Sequence, residues 1–192
     1  MRHFAARSLA VALLLAGCAQ NAAPPTPSAA RDMDPVARAA SLLAAGEAAY
    51  ETGDDRALGR IVSQLRAQNV YPLSDDAGNQ DDITKIWESE AAPLIDVPMR
   101  GRALGPGYRR GTISPGGISE TSQVFLSGQR TTISVGQSGG RTLRLRLFDS
   151  GDRLVCDRNP AHGEVCRFTP VFTQRYRIEI RNGGGENEVS FL

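Results

Sequence analysis

The chain has 192 residues, 41% hydrophobic and 6% aromatic, which suits one domain, or one domain with a small appendage, around a modest core. Its 22 basic residues balance 21 acidic ones, which excludes a global electrostatic attraction to nucleic acid or to acidic substrates. No stretch reaches the ~20 consecutive apolar residues that a bilayer-spanning helix needs.

The first element in chain order is a short apolar run, Leu9 to Gly17, preceded by Arg2 and Arg7. A positive start and an apolar run of this length form an export signal. Leu15-Ala16-Gly17-Cys18 closes the run and resembles the bacterial lipobox. The resemblance implies cleavage before Cys18 and acylation of its thiol. Residues 1–17 are then a signal peptide, and Cys18 is the lipidated N-terminus. One acyl chain, at ~0.8 kcal/mol per buried CH₂, holds a protein only marginally; two or three hold it firmly. Ala19 follows Cys18, resembling the pattern sorted to the outer membrane, so the expected location is lipid-anchored and facing the periplasm. Residues 18–33 comprise the lipidated Cys and a disordered tether, stiffened at Pro24, Pro25 and Pro27.

Asp34-Pro35 is a helix start, with Asp as N-cap and Pro at the first helical position. The Ala- and Leu-rich stretch to Tyr50 favours helix, Gly53 ends it, and Asp54-Asp55 can cap a second helix. Leu58, Ile61, Val62 and Leu65 give that helix one apolar face, so residues 34–70 are predicted to be an αα-hairpin. Residues 71–101 form an acidic connector. Asp75, Asp76, Asp81, Asp82, Glu88, Glu90 and Asp96 face Lys85, the only Lys, and a short amphipathic helix from Asp82 to Ala91 would use Trp87 as its anchor.

Residues 102–192 read as all-β. Gly-rich turns recur at 105–107, 115–117, 139–140 and 182–185. Leu143, Leu145 and Leu147 alternate with Arg144, Arg146 and Phe148; Tyr176, Ile178 and Ile180 alternate with Arg175, Arg177, Glu179 and Arg181. Val124 and Leu126, Ile133 and Val135, and Val189 and Phe191 follow the same period of two. The prediction is a mainly β chain: a jelly-roll-like antiparallel β-sandwich preceded by the hairpin and the tether. Cys156 and Cys166 lie on two short strands separated by turn formers, read as a hairpin bridged by a disulfide in an oxidising compartment.

The stretch from about Ser119 to Leu192 resembles the bacterial pre-peptidase C-terminal domain. The matching features are Gly128 before RTTISV, LRLRLFDSGDRLV, Phe172-Thr173, Tyr176 to Asn182 and the final strand. The resemblance implies a small non-catalytic sandwich with a binding role. The turn after Asp149 is one residue shorter than the family's, and Arg141-Thr142 stands where an acidic pair is common. Asp149 and Asp152 are the remaining candidates for a hard cation.

No catalytic residues, cofactor or metal site are expected. His162 is the only His after Cys18; G-x-S-x-G and H-E-x-x-H are absent, and Gly107 to Gly111 lacks the Walker lysine. Arg144, Arg146, Arg175, Arg177 and Arg181 fall on the polar side of their strands and together would make a basic sheet face. Three readings of it stand: a solvated face, a cradle for the acidic segment 75–96, or a surface for an anionic envelope component or an acidic envelope protein. The expected function is a non-catalytic, lipid-anchored envelope protein presenting a binding module, with the membrane as a partner through its lipid. The alternative is an accessory or regulatory subunit of an exported hydrolase such as a peptidase.

Overall fold

The computed structural model describes residues 33–73, 82–92, 105–138 and 142–192. Cys18, the export signal, the tether to residue 32 and Asp75, Asp76, Asp81 and Asp96 lie outside the described residues.

Three helices come first. Helix α1, Pro35–Thr52, starts where Asp34 accepts a hydrogen bond from the Val36 N–H (2.9 Å) and stops at Gly53, whose φ of 68° is left-handed. Asp54 caps α2, Asp55–Ala67, by accepting from the Ala57 N–H. Helix α3, Ile83–Glu90, buries Ile83 and Trp87. The strands are β1 (Tyr71–Pro72), β2 (Gly107–Tyr108), β3 (Arg110–Ile113), β4 (Ile118–Phe125), β5 (Thr131–Ile133), β6 (Gly136–Gln137), β7 (Leu143–Phe148), β8 (Leu154–Arg158), β9 (Cys166–Phe168), β10 (Gln174–Asn182) and β11 (Glu188–Phe191).

The molecule is β-rich and sandwich-like. One antiparallel sheet runs β4-β10-β7-β8 and the facing strands run β3-β11-β6, with β5 paired to β9. β5 and β6 are two halves of one extended run, 131–137, the first half pairing β9 and the second β11. Between the sheets lie Ile113, Ile133, Val135, Leu143, Leu145, Leu147, Tyr176, Ile178 and Ile180, all buried. The Cys156–Cys166 disulfide joins β8, which pairs β7, to β9, which pairs β5, so the bridge is present but the two strands do not pair as the expected hairpin. The bridge's separation of 10 residues corresponds to about 3 kcal/mol in the chain-entropy account.

The helices cover the outer face of β3-β11-β6. α1 is buried on two sides because it lies between α2 and that sheet, so small residues dominate it. A Cβ on Gly136 would sit 1.9 Å from the Ala40 carbonyl oxygen, so helix backbone rests on strand backbone. Phe191 is fully buried among the helices, together with Trp87 and Tyr108, while Leu192 packs toward the sandwich core. Successive side chains of a strand point to opposite faces, so the end of β11 serves both cores.

Trp87 does not anchor an acidic segment on the arginine face. It packs over Gly46, where a Cβ would lie 2.5 Å from the indole, and 6.2 Å from the Phe191 ring centre. Glu88 is ion-paired with Arg66 of α2 at 2.8 Å.

One strand departs from its expected polarity. Val124 and Leu126 are 44% and 50% exposed. In the antiparallel pair β4–β10, Gln123 stands opposite Tyr176 and Thr121 opposite Ile178. Opposite residues share a face, and Tyr176 and Ile178 point inward. The register therefore turns Thr121, Gln123 and Phe125 inward and Val124 outward.

Candidate functional site

The outer face of β4-β10-β7-β8 gathers the five arginines predicted to share it. Arg177 lies 3.0 Å from Glu120, 3.0 Å from Asp152 and 3.4 Å from Glu179. Arg146 bonds Glu179 at 3.1 Å, and Arg144 makes two bonds to Asp157 at 2.6 and 2.9 Å. Arg146 and Arg177 also stack on Phe148, 4.8 and 4.2 Å from its ring centre, which explains how an outward Phe is only 7% exposed. Arg175 and Arg181 lie opposite Val124 and Ile118 and have no carboxylate partner among the described residues. Three of the five guanidinia are thus neutralised by carboxylates of the same face, from Glu120, Asp152, Asp157 and Glu179.

Asp149 is engaged as well. Its carboxylate accepts from the Gly151 and Arg153 N–H groups and from the Arg153 guanidinium at 2.8 Å. Hydrogen bonds from Arg153 hold its carboxyl below the ordinary carboxylate range, and the Arg144 guanidinium does the same for Asp157. A carboxylate whose pKa is lowered by folding contributes stability that is complete above about pH 5 and is lost as pH falls through about 4 and below. The melting temperature is therefore expected to drop across that window, and Asp149→Asn should flatten the drop; an unchanged slope would remove Asp149 from the account. Among the described residues no group of three or more His, Cys, Asp or Glu side chains is placed to hold a metal ion. His162 is exposed on a 3₁₀ turn, Pro160–His162, between β8 and β9.

Two concavities bear on binding. A groove of about 510 Å³ lies between Asp34, Arg158, Glu164 and Arg167, where the chain joins the fold. Its polar groups are largely matched, Asp34 with Arg167 at 3.0 Å and Glu164 with the Asn159 N–H at 3.0 Å. The second is a cleft of about 250 Å³ that reaches between the sheets beside β4. Ile178, Ile133, Phe125 and Leu192 give it an apolar floor; Thr121, Gln123, Thr132 and Ser134 give it a polar wall, with Arg109 and Tyr71 also lining it.

The cleft is the stronger candidate because its polar groups are unmatched. Ser134 is 6% exposed, yet its hydroxyl makes no hydrogen bond among the described residues, and the side chains of Thr121, Gln123, Thr132 and Arg109 make none there either. These polar side chains border the open cleft and make no bond to the fold among the described residues, so they are available to a ligand. A mostly apolar concavity with a few convergent polar groups is the ordinary form of a binding site. Sequence reasoning missed it because Thr121 and Gln123 were masked by the apolar pair Val124 and Leu126 on the opposite parity.

No protein-family model matches the chain, and no curated protein sequence matches it. Solved structures similar to part of the chain include the following. One is Aeromonas hydrophila PliG, a periplasmic lysozyme inhibitor of g-type lysozyme, at 11% identity and a TM-score of 0.35 over 44% of this chain and 82% of that one. Another is a de novo designed double-stranded β-helix, at 21% identity and a TM-score of 0.29 over 44% of this chain and 92% of that one.

Proposed function

We propose that the chain is an exported, non-catalytic envelope protein, anchored through lipid on Cys18 and facing the periplasm, whose β-sandwich is a binding module with its site in the inter-sheet cleft. The observation that carries this reading is the inverted polarity of β4. A strand that places Thr121 and Gln123 inward and Val124 outward gives up stability that the reverse arrangement would supply, and such local inconsistencies concentrate at functional sites. The Cys156–Cys166 disulfide supports export, because such bonds persist in oxidising compartments. The likeness of residues 119–192 to the pre-peptidase C-terminal domain belongs to the same reading, and its implied role is binding. Arg175 and Arg181, lacking internal partners, are the arginines of the basic face left to meet an anionic component or an acidic envelope protein.

The test joins stability to partner recovery. Thr121→Val with Gln123→Leu is expected to leave the fold at least as stable, since inward positions of β4 become apolar. The same variant should lose the partners crosslinked in intact cells by the full-length protein with Cys18 retained. A variant at least as stable that still recovers them would move the site elsewhere, and a destabilised one would make these side chains structural. One exported hydrolase as the dominant partner would make the protein an accessory subunit of that enzyme.

A further inference from the structure

The end of the sandwich formed by residues 126–130 and 169–173 carries an exposed apolar tip. Phe172 is 71% exposed, Val171 74% and Leu126 50%. The tip is held rather than loose. The Ser127 hydroxyl donates to the Val171 carbonyl at 2.6 Å, the Ser127 N–H to the Thr173 hydroxyl at 3.0 Å and the Gly128 N–H to the Pro170 carbonyl at 2.9 Å. Gly128, with φ of 73°, takes the left-handed turn that this pairing requires. Arg130 and Arg175 flank the tip in sequence, both exposed and both without a carboxylate partner among the described residues. Apolar side chains exposed this far on a fixed support mark a contact surface.

Its position relative to the N-terminus narrows the choice of partner. Asp34, at the start of α1, is ion-paired with Arg167 of β9, and Pro170 follows three residues later. At ~3.3 Å per residue that is about 10 Å, so the chain joins the fold at the end that bears the tip. The 15 residues from Cys18 to Met33 span at most roughly 50 Å. Three apolar side chains are far too few for a stable protein interface, which buries about 1,200–2,000 Å². A bilayer needs no shape complementarity, and an anchor already holding the protein at the surface makes a weak second contact effective. Phe and Leu partition into the interfacial zone, and guanidinium groups bind lipid phosphate.

We propose that Leu126, Val171 and Phe172, with Arg130 and Arg175, form a tip that docks on the anionic bilayer surface to which the protein is anchored. The proposal rests on the reading that Cys18 carries the lipid, and its test separates the two. The experiment uses the full-length protein carrying Phe172→Trp, mixed with vesicles of phosphatidylethanolamine doped with phosphatidylglycerol. Native Trp87 is completely buried and supplies a constant background. The introduced indole is expected to shift its emission to shorter wavelength and to be quenched by brominated acyl chains. Adding Arg130→Glu with Arg175→Glu should restore the emission of a water-exposed indole. The mass of the mature N-terminus reports acylation of Cys18 independently. Acylated protein whose indole stays water-exposed overturns the tip and leaves the anchor standing. Unacylated protein whose indole still shifts upholds the tip and overturns the anchor. Neither signal overturns both.

Discussion

Trp87→Ala is expected to cost about 3–5 kcal/mol of unfolding free energy, the range for deleting a fully buried aromatic side chain. Trp87 has no exposed surface and is wedged between Gly46 of α1 and Phe191 of β11. Its removal leaves a void that the Gly46 backbone on one side has no side chain to fill. Because Phe191 ends the strand that links the helices to the sandwich, the loss should reach the whole fold rather than α3 alone. Denaturant unfolding followed by far-ultraviolet circular dichroism checks this, and a single shifted transition is the expected form. The Trp87 Nε1–H has no hydrogen-bond partner among the described residues. Trp87→Phe removes that unmatched donor while keeping most of the volume, so it should cost less than half as much. A loss below about 1 kcal/mol for the Ala variant would mean that α3 is not part of the cooperative core.

Glu47→Ala is expected to cost about 2–3 kcal/mol, below the range for a fully buried ion pair broken from one side because the Arg110 guanidinium reaches solvent. Glu47 is 3% exposed on α1 and accepts from the Arg110 Nε of β3 at 3.2 Å, with a second, close bond from Arg110 Nη2. Removing the carboxylate takes away both bonds by which Arg110 of β3 grips α1. Replacing both partners, Glu47→Leu with Arg110→Met, should recover most of the loss, because apolar groups of similar size need no counter-charge. Thermal unfolding of the two single variants and the double variant gives the coupling directly. Additive losses would show that the pair does not hold α1 to the sheet.

Local chemistry was legible wherever a residue answers mainly to its chain neighbours. Asp34, Pro35, Gly53 and Asp54 place the ends of α1 and α2 because capping groups act within one turn. The alternation in β7 and β10 survives into the structure because both strands sit inside a sheet with one wet face and one dry face. Asn182 was legible only as a turn residue. It is in fact completely buried, donating to the Ile113 and Glu186 carbonyls at 3.0 and 2.7 Å and accepting from the Thr142 hydroxyl at 3.0 Å. Ile113 is 69 residues away, and no local pattern announces such a bond.

By itself, then, the sequence determined the two capped helices followed by Trp87's helix and a β-rich remainder, the shared parity of the five arginines and the pairing of Cys156 with Cys166, but neither β1 within the stretch read as a connector nor the separate partners of β8 and β9. It also carried the expectation of an export signal ending at Cys18. The tertiary structure alone decided which face of β4 points inward, since that depends on the register with β10. It decided which arginines are neutralised, since Glu120 lies 57 residues from Arg177 and Glu179 lies 33 from Arg146. It decided that Trp87 faces the helices and that Val171 and Phe172 face solvent. The division follows from range. Caps, turns and alternation are set by forces acting within a few residues, whereas register, ion-pair choice and the cleft depend on strands brought together from distant parts of the chain.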